Sequence, residues 1–208
     1  MARKKKAIDY IKELCKSKSE KQRTLGETLK AQYEKWTKTL ALEDFLEFNE
    51  AIMANKAEIG AAQFFGKFRA YAFEEYVYRL LKAEIQLEKP LEIFWAEKCL
   101  IWREEDVKYA VEFDISVGAR KGEFVDPKVV LDAKVELDSS RLKTALASFA
   151  MLKRWRPEAK CAITYVRREL DGRLLKVARN WVDGIFQFDL QNDETGFLID
   201  FVAEGLSM

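Results

Sequence analysis

The stretch VVLDAKVEL, Val129–Leu137, decides how this chain is read. With the two-residue period of a strand, Val129, Leu131, Ala133, Val135 and Leu137 fall on one face, and Val130, Asp132, Lys134 and Glu136 on the other. Aspartate, and less so lysine and glutamate, are depleted in strands because they pack poorly on a pleated surface. Three charged residues on the back of so regular an apolar face ask for a reason. The preceding segment YAVEFDISV, 109–117, repeats the pattern, with Ala110, Glu112, Asp114 and Ser116 on its polar side. Neighbouring strands lie about 4.8 Å apart, so a suitable register sets Asp114 beside Asp132, with Lys134 one pleat along. Two carboxylates that close repel each other unless a cation sits between them. A hard divalent ion such as Mg2+ would do so, because it takes oxygen ligands and commonly uses one or two carboxylates plus phosphate oxygens. A solvated strand face is the other reading of the same residues.

Working outward, WAEKCLIW (95–102) precedes these two segments, joined by the charged turn REEDVK, while GARKGEFVDP reads as the loop between the second and third strands. Asp126-Pro127 belongs to that loop. Asp138 or Ser139 can cap the next helix, SRLKTALASFAMLKRW, which Pro157 stops, and CAITYV (161–166) resumes as a strand. Asp171-Gly172 suggests a hairpin turn into LLKVA, followed by a strand IFQF and a short helix in GFLIDFVAEGL. Upstream, FRAYAFEEYVYRLLKAEI is an amphipathic helix with Phe73, Tyr76, Val77, Leu80 and Leu81 as its core stripe. At about 100° per residue Glu74 borders that stripe, and Glu75 is expected on the surface with Lys82. Residues 1–60 form an N-terminal helical region, suited to dimerisation or recognition, and 61–208 the second region, divided at Ile59-Gly60. A helix between two strands of one sheet is a crossover, so 161–166 should run parallel to its neighbour while the meander is antiparallel. The expected class is α/β, an α+β mixed sheet flanked by helices.

Composition narrows the chemistry. The 208 residues, 49% hydrophobic, suffice for a substantial core. There is no histidine, which excludes Ser-His-Asp and Cys-His nucleophile systems, histidine zinc sites and nucleases whose base is an imidazole. Three cysteines without CxxC spacing indicate neither a disulfide framework nor a zinc knuckle, and fit a reducing cytoplasm. No apolar run approaches the ~20 residues of a membrane span. The net charge is only +1, but ten basic residues face four acidic ones over 1–30, eleven face three over 141–180, and 181–208 holds six acids and no base. A polyanion responds to such local excess within a Debye length of roughly 8 Å.

An acidic residue at the end of one strand followed by Asp-x-Lys on the next, here Glu112-Phe113-Asp114 and Asp132-Ala133-Lys134, resembles the signature of the PD-(D/E)XK nucleases, the restriction endonuclease-like superfamily. The family core, helix, three-strand meander, helix, strand, is the order read above, and its first helix usually supplies a glutamate after a large apolar residue, matched by Phe73-Glu74. The resemblance covers about residues 66–166. Phe113 stands where proline is common, and no Gln-x-x-x-Tyr follows Lys134. The resemblance implies an Mg2+-dependent DNA endonuclease, with Mn2+ as a substitute ion. In it Asp114, Asp132 and the Ala133 carbonyl hold the ion, Glu74 supports this or a second ion, and Lys134 acts on the attacking water and the phosphate. A type II restriction enzyme working as a homodimer on double-stranded DNA is the expectation. A junction-resolving or repair nuclease and a silent DNA-binding module of the same fold are the alternatives. Phosphate contacts are expected from some of Arg141, Lys143, Lys153, Arg154, Arg156, Arg167 and Arg168, with Arg173, Lys176 and Arg179 beyond; Arg120 and Lys121 are candidates for base contacts, a plain hairpin loop being the other reading of that segment.

Overall fold

The three successive strands run further than their apolar centres suggest. In the computed structural model, which describes residues 5–207, β1 is Leu91–Glu104, β2 Val107–Lys121 and β3 Phe124–Leu137. The basic start of the chain, Met1–Lys4, lies outside the described residues. GARKGEFVDP is therefore mostly strand and not loop: only Gly122 and Glu123 turn, with Gly122 at a φ of 65°. Asp126 and Pro127 are strand residues opposite Ala119 and Gly118. A proline is tolerated inside this ladder because the register shifts there. The backbones approach so closely that a Cβ on Gly118 would lie 2.2 Å from the Asp126 carbonyl oxygen.

The sheet has five strands in the order β1-β2-β3-β4-β5, antiparallel through the meander and parallel thereafter. Helix α6, Ser139–Trp155, is the crossover to β4, Lys160–Arg168. Asp138 caps α6 by accepting from the Arg141 backbone N–H at 2.8 Å. The segment after Asp171-Gly172 is not a hairpin strand but helix α7, Gly172–Ala178, which leads to β5, Gly184–Gln187. Asp171 spends its carboxylate on the Arg173 N–H at 2.7 Å, a capping bond, and Leu175 and Ala178, three apart, enter the core. Helix α8, Thr195–Ser207, packs its Gly205 side against Val129 and Lys160. The result is a mixed α/β architecture. The three cysteines are free thiols.

One core joins Val130, Cys161, Ile163 and Tyr165 of the sheet to Leu142, Ala145, Phe149 and Leu152 of α6. Val130, placed by period alone on a polar face, is fully buried in it. The face that carries Asp132 and Lys134 thus begins as hydrophobic core and becomes polar toward its end.

Ahead of the sheet the chain is helical: α1 Ala7–Cys15, α2 Glu20–Thr39, α3 Leu42–Ala54 and α4 Lys56–Ile59 fall within residues 1–60, and α5 Ala62–Glu84 follows them. Gly60, at a φ of 101°, breaks the chain between α4 and α5. The two compact units end at Leu80 and begin at Leu81, so the division falls inside α5. Residues 72–77 of α5 are buried on all sides, as a central helix requires. Phe45 stacks on Tyr76 at 4.5 Å between ring centres, and Tyr10 on Phe68 at 5.2 Å. Glu75 is not a surface residue; it is 0% exposed. Its carboxylate accepts from the Tyr33 hydroxyl at 2.8 Å, the Ala7 N–H at 3.2 Å and the Arg79 guanidinium at 2.8 and 2.9 Å. The 100° rule found the right face for an isolated two-layer contact and failed because helices enclose α5 here.

Candidate active site

The register of β2 and β3 decides whether the two acidic strands make a site. Ile115 lies opposite Leu131, and one residue further the antiparallel step sets Asp114 opposite Asp132. Lys134 points between them, its Nζ 3.0 Å from Asp114 Oδ2 and 2.6 Å from Asp132 Oδ1. The Ala133 backbone N–H donates to Asp114 Oδ2 at 2.8 Å. The side chains of Asp114, Asp132 and Lys134 are 20%, 17% and 24% exposed, so this is neither a solvated face nor a sealed core. It is a recess.

Burial pushes the Asp132 carboxyl up to about 6; the Lys134 charge works against that rise and the Asp114 charge adds to it. Burial pulls the Lys134 ammonium down, but the Asp132 and Asp114 carboxylates outweigh it and hold it well above the ordinary lysine range. Asp132 Oδ1 is buried, and its one partner among the described residues is the Lys134 ammonium, which a bound cation would have to displace or share.

Asp114, Asp132, Ala133 and Lys134 are thus brought together. Glu74 lies in α5, in the unit that ends at Leu80, and is buried there beside Tyr10, whose hydroxyl is pushed up to about 12 by burial first and by Tyr71 and acidic neighbours including Glu74 after it. Among the described residues no group of three or more His, Cys, Asp or Glu side chains is set to hold a metal on its own. Two adjacent carboxylates bridged by a single lysine fit a hard ion that fills its remaining positions with water and phosphate oxygens, and do not fit a closed protein cage. Glu136 pairs with Arg141 at 3.5 Å, a structural contact.

Sequence missed one neighbour. Tyr165 of β4 pairs with Lys134 in parallel register, and Gln187 of β5 pairs with Tyr165. The Tyr165 hydroxyl donates to Gln187 Oε1 at 2.9 Å. A tyrosine within the apolar run CAITYV was the available signal, since a buried hydroxyl needs a partner.

The basic residues divide. Arg120 pairs with Glu97 at 3.4 Å and lies over the Phe94 ring, Lys121 pairs with Asp126, Lys153 with Asp183 at 2.7 Å, and Arg156 with Asp126 at 3.1 Å. Arg141 is tied to Glu136 and Asp138. Lys143 and Arg154 are exposed and have no ion pair among the described residues; Arg167 and Arg168 are exposed at the end of β4.

No family model matches this chain, and no curated protein does. Among solved structures it is similar to a chain of the native BbvCI A2B2 tetramer, with a TM-score of 0.51 and 12% sequence identity over 87% of this chain and 84% of that one. No helix among the described residues is long and apolar enough to cross a membrane. At 12% identity the likeness to BbvCI is one of fold, and what the chain shares with that protein is an architecture.

Proposed function

We propose that this chain is a metal-dependent DNA endonuclease of the restriction endonuclease-like fold, acting as a homodimer in the manner of a type II restriction enzyme. The observation that carries the reading is the recess in which Lys134 bridges Asp114 and Asp132 on adjacent strands. The fold shared with a chain of the BbvCI tetramer supports the architectural part of this reading. In this reading Asp114, Asp132 and the Ala133 carbonyl would hold Mg2+ or Mn2+. A bound ion supplies positive charge at the scissile phosphate and makes hydroxide accessible near neutral pH.

The protein's own groups have separable roles. Asp132 offers a buried carboxylate oxygen whose partner among the described residues is the Lys134 ammonium. Asp114 is oriented by the Ala133 N–H, which leaves its rotamer little freedom. In the metal-free protein the Asp132 and Asp114 carboxylates hold Lys134 cationic, and as a cation it would orient the attacking water and bind a phosphate oxygen as charge builds there. Lys143, Arg167 and Arg168 would meet backbone phosphates, which position a duplex without reading it. Arg120 and Lys121, although paired within the chain, sit at the β2 end beside a two-residue turn and would exchange those pairs for base or phosphate contacts. The N-terminal helices would serve dimerisation or recognition.

Incubating purified protein with a defined plasmid, with and without Mg2+, and mapping the ends tests this. Fixed ends at one sequence are expected. Cleavage only at junctions or flaps would replace the restriction role with a structure-specific one, and retention of DNA without cleavage under any metal would leave a silent binding module.

A further inference from the structure

Away from the recess, the end of α6 and the β1–β2 hairpin enclose an apolar groove of about 630 Å³. Trp102, Val107, Tyr109, Met151 and Trp155 line it, with Lys108 and Arg154 as its cations. Val107, Tyr109, Met151 and Trp155 are all exposed, Trp155 by 51%, although the Trp155 ring already leans on Trp102 at 6.3 Å. Single exposed apolar side chains are ordinary; four lining one groove mark a docking surface.

The same chain carries a complementary surface. Helix α8 turns Leu198, Val202 and Gly205 inward. Phe197, Asp200 and Glu204, three and four residues apart, form its exposed face, with Phe197 65% exposed. Neither Asp200 nor Glu204 has an ion pair among the described residues, and neither has Arg154 across the molecule. Lys108 has only a long contact to Glu123 at 3.4 Å. An aromatic and two acids on one side thus answer aromatics and two bases on the other. The segment that contains α8, 181–208, holds six acids and no base, which turns phosphate away from it.

We infer that the groove receives α8 of a second copy of this chain, Phe197 entering between Tyr109 and Trp155 while Asp200 and Glu204 meet Arg154 and Lys108. Exchange in both directions gives two identical contacts and closes a pair. A nucleic acid is the poorer occupant, because a lining this apolar offers two cations to a polymer that needs many. The inference does not depend on the nuclease reading.

Sedimentation of the full chain over a micromolar range tests it without any activity assay. Wild type should be a dimer. Lys108→Glu with Arg154→Glu, and separately Asp200→Lys with Glu204→Lys, should each weaken association by about tenfold or more through like-charge contact. All four positions are exposed, and melting curves will verify that the variants fold. Mixing the two variants should restore the dimer, since each reversed groove then meets a reversed helix, and one chain carrying all four substitutions should dimerise alone. A monomeric wild type, dimers indifferent to both reversals, or a mixture that stays monomeric would overturn the inference. So would a groove variant that loses DNA affinity with its association unchanged.

Discussion

Asp132 is the residue on which the most rests. Its ordinary pKa of about 3.8 rises to about 6 in the folded state because burial disfavours the anion. The folded state therefore binds this proton more tightly than the unfolded one, and the stability it lends is present at low pH and lost as pH rises through about 6. Ionised Asp132 therefore costs the metal-free protein stability at pH 8 that protonated Asp132 does not cost at pH 4. Asp132→Asn in EDTA should accordingly melt higher than wild type at pH 8 and close to it at pH 4. A variant less stable than wild type at pH 8 would show that the recess is an ordinary structural salt bridge. Lys134→Met leaves Asp114 and Asp132 facing each other uncompensated, so it should lower metal-free stability by about 2–4 kcal/mol, yet increase affinity for Mn2+ measured by calorimetry. Loss of Mn2+ binding in that variant would assign Lys134 a role in building the site instead of acting within it.

Secondary elements explain why some expectations met the structure and others did not. The period-2 pattern and the turn residues made the meander, the α6 crossover and the parallel β4 legible, because local propensity and burial point the same way there. Asp171-Gly172 was ambiguous, since the same dipeptide starts a tight hairpin or caps a helix; the cap won once Leu175 and Ala178 could be buried. Pro127 misled because a proline usually ends a strand, and only a register shift, which has no sequence signature, keeps it inside β3. Gly118 was the hidden clue to that crowding. Gly118→Ala should cost about 1–3 kcal/mol, read by denaturant unfolding, because its Cβ would press on the Asp126 carbonyl. Glu75 was misplaced for a different reason: amphipathicity argues for one buried face, and a helix enclosed by others has none to spare. Glu75→Ala strips the Ala7 N–H, Tyr33 and Arg79 of their acceptor, so a loss of about 2–4 kcal/mol is expected, with Tyr33→Phe costing about 1. A neutral Glu75→Ala would mean the buried network contributes nothing.

Across the molecule, charge is spent in two ways. Arg120, Lys121, Lys153 and Arg156 are paired internally, which sequence counts could not reveal because, Lys121 with nearby Asp126 aside, their partners Glu97, Asp183 and Asp126 are distant in the chain. Fewer phosphate contacts follow than the eleven bases of 141–180 would suggest. DNA affinity should fall with salt, and neutralising Lys143 or Arg168 should each reduce the log–log slope by about 0.9. Indifference to salt would place these residues off the duplex. The central claim is that the charged face of VVLDAKVEL is a reaction site. The direct measurement compares plasmid cleavage by wild type and Asp132→Ala, both with Mg2+ and both verified as folded. Wild type should cleave, the variant should not, and both should retain DNA binding. Cleavage by Asp132→Ala at the wild-type rate would contradict it.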